Sequence, residues 1–312
     1  MKVAAVDLGS NTVKMTVAQI SGETIEVLDE ALEAPRVVRG RDRSTGELQP
    51  EALERTFEVL RRFVARADGF GVDRKCAAAT ASLRGAPNAP GFLRRVAKEL
   101  GLSMEVVSGE REAALAYLGA TTRFEDEDLW VVDVGGRSTE VVRGRGRIPL
   151  AAVSRDVGAV SLTEDVELTD PPHEHELLGL RQAAAERLSP LTRSLGVDAA
   201  DVPPSAKLVG VSGTALAALG LSLGESDLET LVRHHDGADV SFVQVEEHFH
   251  TLGTLRTDQR VFGTVLPEQR ADVILAGLSL LLATMAALDA DHMAVTHRGL
   301  RYGLLAESGG LT

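Results

Sequence analysis

At 312 residues the chain is long enough for two domains with separate cores, and its 44% hydrophobic and 25% charged content is that of an ordinary globular protein. The net charge of −13 argues against a general binder of nucleic acid or of anionic membrane. It does not exclude an anionic substrate, because beyond about 8 Å most of the repulsion is screened and local cations and a bound metal decide. Cys76 is the only cysteine, which excludes an intramolecular disulfide and a thiolate metal cluster within one chain. Met1 runs straight into an apolar stretch without a basic, then apolar, leader, so a cytoplasmic protein with neither nucleic acid nor membrane as partner is expected.

Val3–Val6 reads as a strand, Asp7-Leu8-Gly9-Ser10-Asn11-Thr12 as a tight turn and Val13–Val17 as its antiparallel return. Ile25–Leu28 is a third strand, followed by an arginine-rich connection to Pro50. Leu53, Phe57, Leu60 and Val64 recur at helical spacing. Lys75–Thr80 is a short buried strand, and Arg84 and Asn88 lie in the turn after it. Phe92, Val96 and Leu100 mark a helix stopped by Gly101, Met104–Val107 the next strand, and Glu110–Leu118 the next helix. Alternating strands and helices imply an α/β architecture with a mixed sheet.

The second half repeats the theme. Leu129–Val132, then Asp133-Val134-Gly135-Gly136-Arg137-Ser138, then Val141-Val142 form a second hairpin, which Ile148–Val153 extends. A polar, mostly helical stretch runs from Leu162 to about Leu195. Lys207–Val211 is a strand entering Ser212-Gly213-Thr214, a third glycine turn before a helix from Ala215 to Leu221. Arg233–Gly263 is rich in histidine and has no clear period. Ala271–Leu288 is a buried helix, its apolar run shorter than the roughly 20 residues that span a membrane and bracketed by Asp272 and Asp289. Met293–Thr296 is the last strand and Gly299–Leu305 a closing helix.

The two Asp-Gly turns place carboxylate, glycine and hydroxyl at the same offsets, and glycine in such a turn lets backbone N–H groups approach an anion. Two turns suggest one phosphate clamp built from two related halves. The arrangement resembles the actin, hexokinase and Hsp70 superfamily, whose two duplicated ribonuclease H-like domains close on a central cleft. Within it the chain is similar to the exopolyphosphatase and guanosine pentaphosphate phosphohydrolase (Ppx/GppA) family. The similarity rests on the first turn, Ala79-Thr80-Ala81-Ser82-Leu83-Arg84, Ser108-Gly109-Glu110-Arg111-Glu112-Ala113, Asp133–Glu140, Val209–Thr214 and Gly299–Leu305. It implies two actin-like domains in a short form, residues 1–118 with the closing helix 298–312 returning to them, and residues 119–297.

The same resemblance implies Glu112 as the base that deprotonates the attacking water, although an acid in a helix first turn also suits the positive end of that helix. It implies a magnesium ion held by Asp7, Asp133 and Glu140, and phosphate oxygens bound by Ser10, Asn11, Thr12, Arg84, Gly135, Gly136, Arg137, Ser138, Thr139, Gly213 and Thr214. Hydrolysis of terminal phosphate from inorganic polyphosphate is the implied activity, with guanosine pentaphosphate (pppGpp) or a silent polyphosphate or alarmone sensor as alternatives, and a homodimer as the implied assembly. Arg137 stands where the family usually has a third glycine. A positive φ there would cost about 1–2 kcal/mol, yet the equivalent Asn11 suggests that the position accepts a side chain. Arg36, Arg39, Arg41 and Arg43, and Arg143, Arg145 and Arg147, could track a long anion. The pairs His234/His235 and His248/His250 near Asp236 fix no shared ligand geometry, and no transition metal is assigned to them.

Overall fold

A computed structural model of the protein describes residues 1–42, 44–81, 83–124, 128–189 and 206–311. Arg43, Ser82 and the expected helical stretch around Leu195 lie outside the described residues. The first sheet holds β1 (Lys2–Leu8), β2 (Val13–Ser21), β3 (Thr24–Glu33), β4 (Arg74–Ala79) and β5 (Glu105–Val106) in the order β3-β2-β1-β4-β5. The second holds β6 (Asp128–Val134), β7 (Thr139–Arg145), β8 (Ile148–Arg155), β9 (Lys207–Gly210), β10 (Asp239–Ser241) and β11 (His292–Val295) in the order β10-β11-β9-β6-β7-β8. In each, the leading strand pairs antiparallel with its hairpin partner and parallel on the other side, β1 with β4 and β6 with β9. The likeness extends to burial. In β1 and in β6 only the first residue and the aspartate, Asp7 or Asp133, are not fully buried. Strands covered on both faces read as apolar runs, so the one polar interior position marks where the cleft opens.

Helices α1 (Pro50–Gly69) and α2 (Ala89–Leu100) cover one face of the first sheet, with Phe57, Leu60 and Val96 against Val6, Leu8 and Met15. Helix α3 (Gly109–Thr121) lies between the sheets. Leu115 packs with Val3, Ala5 and Ala78, whereas Ala113, Ala116 and Tyr117 pack with Val131, Val142 and Val209. Helices α4 (Ala159–Asp165), α5 (Glu174–Leu188), α6 (Gly213–Leu223), α7 (Leu228–His235), α8 (Phe242–Gly253) and α9 (Ile274–Ala287) surround the second sheet. The closing helix α10 (Leu300–Ser308) returns to α3 and β1. The two helices cross so closely that a Cβ on Gly119 would lie 2.0 Å from the Gly299 carbonyl, and one on Gly303 2.1 Å from that of Leu115.

Three elements differ from the sequence reading. Strand β3 runs on to Glu33 because its second half pairs with Val13–Val17 beyond a register shift at Val17/Ala18. Helix α9 begins at Ile274 rather than Ala271, since Glu268–Arg270 forms a 3-10 turn. The unassigned stretch from Arg233 holds β10 and α8, whose start is closed by Ser241 accepting from the Gln244 N–H. Among the described residues no helix is long and apolar enough to cross a membrane.

Candidate active site

The two Asp-Gly turns close identically: Gly9 N–H donates to the Thr12 carbonyl at 3.0 Å and Gly135 N–H to the Ser138 carbonyl at 2.9 Å. They face one another across the cleft, where a Cβ on Gly136 would lie 2.9 Å from Ser10 Cβ and 3.2 Å from Val160. Neither turn uses positive φ, so its glycines serve close approach rather than backbone freedom. Arg137 consequently carries no left-handed strain. The second turn is held from behind by the start of α4, where Ala159 N–H donates to the Gly135 carbonyl and Val160 N–H to that of Gly136, at 2.9 and 2.7 Å.

Glu112 stands in the first turn of α3, whose N-cap Ser108 accepts from the Arg111 N–H at 3.2 Å. A first-turn acid that only stabilised the helix end would face water, as Glu110 does. Glu112 is instead 6% exposed and lines the cleft with Asp7 and Asp133. Burial raises its carboxyl above the ordinary range, Glu140, Asp133 and Asp7 raise it further, and Arg84 opposes them. The Arg84 Nη2 atom lies 3.5 Å from Glu112 Oε2, which sets a cation beside this carboxylate.

Register explains the rest of the charge pattern. Across the first hairpin Asp7 pairs with Lys14, and across the second Asp133 pairs with Glu140. Equivalent positions thus give a neutral pair in one half and two carboxylates in the other. Burial lowers the Lys14 amine and raises Asp7 and Asp133, while Lys14 opposes the rise of both. Sequence reasoning missed Lys14, although its cross-strand position relative to Asp7 was a readable signal. It also missed Arg270, which lies over Gly213, donates to Thr12 Oγ1 at 3.4 Å and is drawn to Asp133 and Asp7. Arg270 therefore joins the first turn to the third.

Ser10, Asn11, Thr12, Gly135, Gly136, Arg137, Ser138, Gly213 and Thr214 all line this cleft, as expected. Three side chains are otherwise engaged. Thr139 Oγ1 is buried and donates to the Val157 carbonyl at 2.7 Å. Asn11 Nδ2 donates to the Gln269 carbonyl at 3.0 Å, and Arg137 Nη1 lies 3.1 Å from Glu164 Oε2. Thr80 also lines the cleft, though it was not singled out as a site residue. Asp236, next to His234 and His235 in the chain, accepts from Thr296 Oγ1 at 2.6 Å and meets His297 Nδ1 at 3.0 Å.

The residues present suit a magnesium ion that leaves part of its shell to phosphate and water. Asp7 Oδ1 and Glu140 Oε2, one from each half, are buried acceptors with no hydrogen-bond partner. Such orphans are costly unless a cation or water satisfies them. Among the described residues, however, no three carboxylates converge on one point, so Asp7, Asp133 and Glu140 do not form a closed cage. One or two carboxylates, with phosphate and water completing the shell, match what magnesium accepts.

The model of the Ppx/GppA phosphatase family matches residues 16–310. The chain belongs to this family. The Ppx/GppA family member from Aquifex aeolicus is 32% identical over 99% of this chain and 97% of its own, with a TM-score of 0.81. An exopolyphosphatase-like protein is 26% identical over 99% and 98%, TM-score 0.88. An exopolyphosphatase from Cytophaga hutchinsonii, at 22% identity over 100% and 99%, shares the fold with a TM-score of 0.86. The two sheets are thus the two halves of an actin-like ATPase fold in its Ppx/GppA form, and the chain is a phosphatase of that family.

Proposed function

We propose that the protein hydrolyses the terminal phosphate of inorganic polyphosphate with magnesium and a water activated by Glu112. The observation that carries this reading is a buried carboxylate, Glu112, set between two facing phosphate-type turns. Ser10, Gly136 and Ser138 would hold the terminal phosphate through backbone and hydroxyl donors, with Arg270 and Lys14 balancing its charge. Magnesium, when bound, would neutralise charge on the transferred and leaving groups. Glu112 would orient a water and take its proton as the water oxygen attacks phosphorus. The bridging P–O bond breaks, its electron pair leaves with the shortened chain, and orthophosphate is released. Arg84 favours the ionised form of Glu112 that this step needs.

Polyphosphate is preferred to a guanosine substrate because no aromatic ring lines the cleft among the described residues to stack a base. A silent sensor loses its motive, since Arg137 sits in an unstrained backbone. The test is phosphate release by the purified protein with magnesium from long polyphosphate, guanosine pentaphosphate and ATP, with Glu112→Gln alongside. Release from polyphosphate that vanishes in the variant is expected; release from guanosine pentaphosphate alone would overturn the substrate assignment.

A further inference from the structure

Across each hairpin the register runs on into a third strand. In the first half Asp7 pairs with Lys14, and Lys14 with Leu32 of β3. In the second half Asp133 pairs with Glu140, and Glu140 with Ser154 of β8. Residues paired in this way lie side by side on one face of the sheet. Where the middle position is a cation beside the aspartate, the third strand supplies an apolar residue. Where it is a second carboxylate, the third strand supplies a hydroxyl, and that hydroxyl is used: Ser154 Oγ donates to Glu140 Oε1 at 2.7 Å.

Glu140 is 1% exposed, so its two oxygens have little water to turn to. Oε1 is held by Ser154, while Oε2 has no hydrogen-bond partner. With one oxygen fixed in this way, Oε2 is the atom left for a cation. The same serine also meets α3. A Cβ on Gly109 would lie 2.5 Å from both Ser154 Cβ and Oγ, and 3.3 Å from Arg84 Nη1. Gly109 opens α3 one turn before Glu112, so the backbone that carries the proposed base rests directly on the side chain that holds Glu140.

We propose that Ser154 is a positioning residue for magnesium: its hydroxyl fixes the Glu140 carboxylate so that Oε2 is presented to the ion, and its contact with Gly109 keeps that carboxylate in register with the helix start that carries Glu112. The inference rests on the magnesium-dependent reading and deepens it by naming what orients one of the ion's carboxylates. Ser154 itself touches neither substrate nor ion, and no covalent step is involved.

The test is a calorimetric titration of magnesium into the metal-free protein, for the wild type, Ser154→Ala, Glu140→Gln and the double variant, with phosphate release from long polyphosphate followed across magnesium concentrations. Ser154→Ala keeps the Cβ on which α3 rests and removes only the hydroxyl, so Tm should move by no more than a few degrees. Its magnesium Kd should rise about tenfold, as expected when a group that orients a metal ligand is lost, and the magnesium concentration for half-maximal release should rise with it. In the Glu140→Gln background the same substitution should change Kd by less than about twofold, because the carboxylate it orients is gone. A merely structural serine would weaken magnesium binding equally in both backgrounds or in neither, and either result would overturn the positioning role alone. Wild-type protein that binds no magnesium and needs none for phosphate release would overturn the magnesium reading and the positioning role with it.

Discussion

Gly303→Ala places one methyl group at the crossing of α3 and α10, on the opposite side of α3 from the second sheet. That Cβ would stand 2.1 Å from the Leu115 carbonyl oxygen and 2.7 Å from its carbon, both backbone atoms that cannot rotate away. Ordinary contact requires the helices to part by more than about 1 Å, and overpacking of this kind costs about 1–3 kcal/mol. Leu115 lies one helical turn beyond Glu112 on the same helix. A displacement of about 1 Å in a catalytic group lowers turnover about a hundredfold even when the mutation is remote from the chemistry. Phosphate release and thermal unfolding measured together should therefore show a large fall in kcat with a Tm lowered by only a few degrees. Gly119→Ala, aimed at the Gly299 carbonyl from the other partner, should behave alike. Wild-type kcat and Tm in Gly303→Ala would refute the reasoning, because they would mean that the crossing does not position Glu112.

Gly213→Ala should separate stability from binding: the atoms nearest its Cβ belong to the tip of the Arg270 side chain, the first 1.8 Å away, so KM should rise while Tm stays put, and a collapse of Tm would contradict this. Arg36 holds a φ of 53° outside glycine's usual company, so Arg36→Gly and Arg36→Ala both lose the Asp272 pair but only glycine relieves the backbone. The glycine variant should be the more stable by about 1 kcal/mol, and the reverse order in denaturant unfolding would refute it. Burial and then facing carboxylates raise Glu112 and Glu140, and a raised folded-state value gives stability that is full below the unfolded value of about 4.3 and is lost as pH rises through the folded one. Metal-free protein should accordingly lose Tm as pH rises from the acid range through neutrality, less steeply in Glu112→Gln, with magnesium restoring the loss. Parallel Tm profiles for the two proteins would count against the carboxylate cluster.

What was legible in the sequence was local. The strand-turn-strand pattern around Asp7 and Asp133 depends on neighbouring residues, so both hairpins and their glycine turns could be read directly, and the repeat itself announced two halves. Glu112 needed the family resemblance, because its sequence position alone also fits a helix-end acid. Lys14 required the register that sets it opposite Asp7. Arg270 stands 258 residues from the Thr12 hydroxyl it reaches, a contact that only the tertiary fold supplies. Thr139 shows the converse: its offset in the motif could be read, but not that its hydroxyl donates to the Val157 carbonyl. The arginine groups looked alike in sequence, yet their partners differ: Arg36 crosses to Asp272, whereas Arg145 faces Asp128 and Arg147 faces Glu23.

The most direct test of the central claim is to let the protein act on polyphosphate with magnesium in water enriched in heavy oxygen, under single turnover, and to follow where the label goes. Attack by a Glu112-activated water on the terminal phosphorus predicts one labelled oxygen in each released orthophosphate, none in the shortened chain, and no labelled product from Glu112→Gln. Label in the remaining chain, or undiminished release by the variant, would contradict the account.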